Sequence, residues 1–277
     1  MLAAAPYPPS GKLVDVGGYR VHLYCTGKGS PTVVIAGTEF SFDWALVQPQ
    51  VAAFTRVCTY DPSGTAWSDP GPALTCDARV RELHVALKNA GVEGPYVVVG
   101  LSVGAITARL YANRYPKEMA GMVIVDHAFL DAGGEKPMPT PTDSAMPVLI
   151  HQEPIRWTIE DDPNFNRLPE RSRELHRWAM SLHPATPTVE TAEECLAALA
   201  KTEGSFGNRP LAVISTVHHP PSYDKLQAKL LALSRNSKQF VAEKSFHAVT
   251  IDQPEIIVSA IHAVVDALRR HSRLMAF

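Results

Sequence analysis

The chain has 277 residues, just under two domains at about 150 residues each, and is long enough to bury a sizeable core. Lysine and arginine number 26 against 28 acidic residues, and a net charge of −2 argues against nucleic acid or an anionic membrane as the main partner. A hydrophobic fraction of 45 % with 19 % charged residues excludes a disordered chain.

Taken in chain order, Met1-Leu2-Ala3-Ala4-Ala5-Pro6 has neither a basic n-region nor a full apolar h-region, so no signal peptide is expected. The location implied is cytoplasmic as written, with a secreted or periplasmic mature form left open. No apolar run approaches the roughly 18 residues of a membrane helix. Lys12–Val16 and Tyr19–Tyr24 flank Gly17-Gly18, a hairpin-type turn. Thr32–Ile35 suits a strand buried on both faces. Asp43–Phe54 has helical composition, and Arg56–Tyr60 returns to strand. Asp77–Ala90 is the clearest amphipathic helix: Asp77 caps it, Val80, Leu83, Leu87 and Ala90 share a face, and Gly91 ends it. Strand Tyr96–Val99, helix Val103–Asn113 and strand Met122–Val125 come next.

Proline use then changes: nine of the 23 prolines lie between Asp131 and Arg209. This stretch reads as an insertion with helices at Glu170–Leu182 and Val189–Lys201. Strands Leu211–Ser215 and Gln239–Ala242 flank a helix around Lys225–Leu233. The last helix starts at Pro254 and carries Ile257, Ile261, Val264 and Leu268 on one stripe, with Arg269, Arg270 and His271 at its cation-favouring end. Eight strands, mostly alternating with helices, predict an α/β fold with a largely parallel sheet.

Cofactor signals are missing. Cys25, Cys58, Cys76 and Cys195 form no CxxC pair, there is no HExxH, and neither GxxxxGK nor GxGxxG occurs. No metal and no cofactor is therefore expected.

Gly100-Leu101-Ser102-Val103-Gly104 has the form GxSxG. By composition such a match arises about once in ten chains of this length, but here it sits between a buried-type strand and a helix. Ser102 thus falls on the sharp turn that a nucleophile elbow requires. With Val33–Gly37, Tyr60-Asp61-Pro62-Ser63-Gly64 and Ser245-Phe246-His247, this motif resembles the α/β-hydrolase family over nearly the whole chain. The resemblance implies an α/β-hydrolase fold: a mostly parallel eight-stranded sheet with helices on both faces and a helical cap. Residues 1–130 and 210–277 form the core, and residues 131–209 form the cap. The strand order of that family makes the strands of Cys25 and Cys58 neighbours. A bridge is then geometrically open to them, but two buried free thiols suit a cytosolic chain better.

It also implies that Ser102 attacks an acyl carbon, with His247, between the last strand and the last helix, as base. Backbone amides of Val103 and of Thr38, at the corresponding family position, form the oxyanion hole. Two acids satisfy chain order. Asp224 lies on the more usual side for this family, but nine residues past Ser215 and where it caps the next helix. Asp126 directly follows the Met122–Val125 strand, as in the haloalkane dehalogenase branch, and is the expected acid. The sequence departs from the common pattern at Ala36-Gly37 and at Leu101, without removing a backbone donor. Expected substrate contacts are Glu39, Phe40, Leu101, Trp157, Trp178 and His218. Glu39 suits a cationic group such as the amino sugar of a macrolactone antibiotic, which some relatives of this fold open.

The resulting expectation is a serine hydrolase of carboxylic esters or lactones acting on a small molecule, with no nucleic acid or membrane partner. The alternatives are a macrolactone esterase with the same mechanism, a receptor-type homologue with weak catalysis, or a perhydrolase or lyase sharing the triad.

Overall fold

Alternation of apolar residues with a period of two fixes which face of each strand meets which helices. The computed structural model describes residues 6–36, 40–72, 75–127, 159–182, 192–202, 204–217 and 221–274. Among them are strands β1 (Lys12–Asp15), β2 (Arg20–Thr26), β3 (Thr32–Ile35), β4 (Val57–Asp61), β5 (Tyr96–Leu101), β6 (Met119–Val125), β7 (Leu211–Thr216) and β8 (Ser237–Ala242). They form one sheet in the order β1-β2-β4-β3-β5-β6-β7-β8. The pairs β1–β2 and β2–β4 are antiparallel, and every other pairing is parallel.

The helices are α1 (Gln48–Ala52), α2 (Cys76–Asn89), α3 (Gly104–Arg114), α4 (Glu170–Leu182), α5 (Ala192–Thr202), α6 (Pro221–Ala232), α7 (Val249–Asp252) and α8 (Pro254–Arg269). Val34, Cys58, Val98, Ile124 and Val213 face a layer built from α2, α3, α5 and α6. Val33, Val57, Val99, Val125 and Ile214 face the opposite layer of α1 and α8, where Ile257, Ile261 and Val264 form the expected stripe. α5 lies inside the 131–209 stretch yet packs with the first layer.

Three local expectations are corrected. The helix over Asp43–Phe54 is instead a 3-10 turn, Ser41–Trp44, followed by the short α1. Pro49 is the reason: lacking an N–H, it opens a new helix rather than continuing one. Asp77 does not cap α2; Thr75 does, its hydroxyl accepting from the Ala78 N–H at 3.1 Å. Asp224 is no N-cap either, because α6 begins at Pro221 and leaves it exposed in the first turn.

The expected free thiols are also overturned. Cys25 and Cys58 are direct partners across β2 and β4, with Cα atoms 4.0 Å apart, and they are bridged. A second disulfide, unforeseen in the sequence, joins Cys76 at the start of α2 to Cys195 on α5, 119 residues away. Alkylation of the denatured, unreduced chain should therefore label no cysteine; four labelled cysteines would rule out both bridges. Cys76→Ser with Cys195→Ser should cost about 2–5 kcal/mol of stability, because the bridge closes a long loop in the unfolded chain. Denaturant titration measures this.

Candidate active site

β5 ends at Leu101, and the chain reverses into α3 with Ser102 at the apex, at φ +53°. A side chain at Gly100 would run into the Gly104 carbonyl and lie 2.6 Å from the Ala105 nitrogen, so this position needs glycine. The left-handed backbone costs a non-glycine residue about 1–2 kcal/mol. Hydrogen bonds hold the turn: the Ser102 N–H donates to the Val125 carbonyl at 3.0 Å, and the Ser102 carbonyl accepts from Ala105 N–H at 3.1 Å. Val103 stands at the N-terminus of α3, where backbone N–H groups lack intrahelical acceptors and the helix dipole is positive.

On the neighbouring strand Val125 lies opposite Leu101, so Asp126 emerges beside Ser102. Asp126 also has a left-handed backbone, at φ +40°, and is fully buried. Its Oδ2 accepts from His247 Nδ1 at 2.7 Å, and its Oδ1 accepts from Tyr223 Oη at 2.8 Å and from Thr216 Oγ1 at 3.3 Å. His247 thus donates through Nδ1, and its ring remains 30 % exposed. Burial, the Asp126 charge and their hydrogen bond push the Tyr223 pKa far up, which keeps its hydroxyl a donor.

The structure places Ser102, Val103 and Asp126 at the C-terminal ends of the adjacent β5 and β6, and the loop after β8 brings His247 to Asp126. Leu101 is buried in the apolar layer with α1 and α8. Phe40 stacks on Phe42, with ring centroids 5.1 Å apart, and Trp178 of α4 packs against Trp67 at 5.6 Å. Thr38, Glu39, Trp157 and His218 lie outside the described residues.

Sequence reasoning missed Tyr223, Thr216 and His127. His127 is fully buried; its Nδ1 donates to the Ser102 carbonyl at 3.0 Å, and its Nε2 faces Arg109 Nη1 at 3.4 Å. Its position directly after Asp126 was the available signal. It says nothing about where the ring points.

Two buried carboxylates anchor the segment that succeeds residues 37–39. Asp61 accepts from Ser41 N–H at 2.7 Å and from Ser41 Oγ at 3.0 Å, and pairs with buried His22 at 2.7 Å. Asp43 accepts from Phe40 N–H at 3.2 Å and pairs with His176 of α4 at 2.9 Å. Burial raises the Asp43 pKa above its ordinary value against the pull of His176. For His176 burial acts downward, but the bond and charge of Asp43, helped by Glu160 and opposed by Arg177, leave its pKa above 6.5.

Residues 41–247 match the alpha/beta hydrolase fold family. Uncharacterized protein YqjL of Bacillus subtilis (strain 168) is 27 % identical over 249 residues, covering 86 % of this chain and 85 % of that one. Among solved structures, an epoxide hydrolase, CorEH, superposes with a TM-score of 0.67 at 17 % identity, over 93 % of this chain and 98 % of its own. A thermophilic esterase from Thermogutta terrifontis reaches a TM-score of 0.62 at 19 % identity, over 91 % and 94 %. At these identities the structural likeness establishes the fold.

Because the folded pKa of His176 lies above its ordinary value, the stabilisation it gives is complete below about pH 6.5 and is lost as pH rises through that folded value. The melting temperature should therefore fall as pH rises above about 6.5, and His176→Phe should flatten that slope. An unchanged slope in the variant would contradict the assignment.

Proposed function

The chain belongs to the alpha/beta hydrolase fold family, and from that premise we propose that it is a serine hydrolase cleaving carboxylic esters, lactones included, through an acyl-enzyme on Ser102. The observation that carries this reading is the Asp126–His247 bond of 2.7 Å at the strand end adjoining a left-handed Ser102. His247 Nδ1 donates to Asp126, which leaves Nε2 to take the Ser102 proton as Oγ attacks the carbonyl carbon. The tetrahedral oxyanion is held by the Val103 amide at the positive end of α3, together with the Thr38 amide. Protonated His247 passes its proton to the leaving alcohol, and the acyl-enzyme forms. Water then attacks, again with His247 as base, and the carboxylic acid leaves. Tyr223 and Thr216 donate to Oδ1 of Asp126, which fixes the carboxylate while its Oδ2 orients His247.

Residues 131–209 are read as a cap that walls the substrate site. The aromatic cluster of Phe40, Phe42, Trp67 and Trp178 supports this, since it joins α4 to the core. A small, apolar ester suits such a wall. The two disulfides support an oxidising compartment for the folded protein rather than the cytoplasm. Among the described residues no helix is long and apolar enough to cross a membrane.

The test is a panel of p-nitrophenyl esters, lactones and macrolactones, with fluorophosphonate labelling of Ser102. Ser102→Ala should abolish labelling and lower kcat on the order of 10⁶-fold, as for other triad nucleophiles. A folded variant keeping a tenth of the turnover would end the serine mechanism. Asp126→Asn should lower kcat roughly 10⁴-fold through loss of the tautomer and charge it fixes. Exposed Asp224→Asn should stay near wild type; the reverse ranking would move the acid to the segment after β7.

A further inference from the structure

His247 is carried by a short loop between β8 and α7, and the fixing of that loop converges on one side chain. Asp252, the last residue of α7, lies five positions after His247 and is 9 % exposed. Its Oδ2 accepts from Ser245 Oγ at 3.1 Å and from the Phe246 N–H at 3.3 Å, the two residues immediately before the histidine. Next to it, Gln253 Oε1 accepts from the Lys244 N–H at 2.5 Å. The loop is therefore held from Lys244 to Phe246 by two consecutive residues.

Within the loop the Ser245 N–H donates to the Ala242 carbonyl at 3.5 Å and the Val249 N–H to the His247 carbonyl at 2.9 Å. α7 has four residues and no side-chain N-cap bond, and so short a helix is unstable alone. Its place depends on what packs on it. On the far side Asp252 Oδ1 accepts from Asn164 Nδ2 at 2.8 Å, and its backbone carbonyl accepts from Arg167 Nη1 at 2.6 Å. Asn164 and Arg167 belong to the inserted segment, whose Ile159, Phe165 and Leu168 pack on Ile251 of α7 and on Ala45 and Leu46. A carboxylate has acceptor positions on both oxygens, so Asp252 bonds both segments at once.

We propose that Asp252 is the positioning residue of His247, holding the histidine loop in register with Asp126 and tying that register to the docking of residues 159–168. The role rests on the reading of His247 as the base. A displacement of about 1 Å at a catalytic group costs on the order of 10²-fold in rate, which sets the size expected here.

The experiment compares full-length Asp252→Ala, Asp252→Asn and Asn164→Ala, with Glu255→Gln on the exposed start of α8 as control. Turnover of p-nitrophenyl acetate is read beside the low-field proton resonance of the His247–Asp126 bond. Asp252→Ala should lower kcat about 100-fold, leave KM within about threefold, and broaden the resonance. Asp252→Asn keeps one acceptor oxygen and should recover about tenfold of that loss, and Asn164→Ala should lose about tenfold. Glu255→Gln should match wild type. Wild-type kcat and a sharp resonance in folded Asp252→Ala would overturn the proposal. If that variant does not fold, the same result in both Asp252→Asn and Asn164→Ala would overturn it. Should the wild type neither hydrolyse esters nor take the fluorophosphonate at Ser102, the hydrolase reading fails, and the resonance alone decides the role of Asp252.

Discussion

Parallel pairing of β5, β6 and β7 in a single register is the constraint on which the site depends. Leu101 stands opposite Val125, and Val125 opposite Ile214, so the three strands finish almost level. The residues at these three ends are then forced into one neighbourhood: Ser102 after β5, Asp126 after β6, and Thr216 at the end of β7. A slip of one residue would send Val123 and Val125 to the opposite helix layer and exchange the two cores. The apolar alternation of the strands, remote from any chemistry, therefore sets the spacing of the polar groups. The two left-handed residues at the strand ends are the local cost of turning the chain inside that spacing.

Around this edge the protein buries carboxylates, each expensive to desolvate unless its oxygens are occupied. Asp126 takes donors from β7, α6 and the histidine loop; Asp61 takes them from β2 and the turn at Ser41; Asp43 takes them from Phe40 and α4. Each set spans segments distant in sequence. Apolar packing fills space but tolerates small displacements, whereas several directional bonds on one carboxylate define position and angle together. This is the contrast between the cores, built of interchangeable aliphatics, and the edge, built of specific polar partners.

That contrast also explains what could be read in advance. The eight strands, α2, α4 and α8 were legible because their apolar spacing is a property of a single segment. The place of Ser102 on a strand-to-helix turn was legible from glycine spacing, and that of Asp126 from its lying directly after a strand. Tyr223 was not, since its hydroxyl reaches Asp126 only once α6 has packed over β7. Its neighbour Asp224, chemically the more suggestive residue, ends up exposed. The Cys76–Cys195 bridge was equally hidden: its partners are 119 residues apart, and α5 packs with the core helices despite lying within the proline-rich insertion. The broken helix after Asp43 shows the converse, where Pro49, lacking an N–H, starts a new short helix inside a stretch of helical composition.

The described part of residues 131–209 is fastened to the rest of the protein in two different ways. At α5 the attachment is covalent and far along the chain from Ser102. Near the site apolar packing is joined by polar bonds: His176 to Asp43 beside the segment that succeeds residues 37–39, and Asn164 with Arg167 to Asp252 beside the histidine loop. His176 and Asp43 are both enclosed, and Asp252 is a buried acceptor for the exposed donors Asn164 and Arg167, so removing a donor leaves a buried carboxylate without compensation. Docking of α4 and of residues 159–168 and order in the two flanks of the site thus stabilise one another. An apolar interface of equal area would hold the same segments together without transmitting that order, because it would leave no buried acceptor waiting for a particular donor.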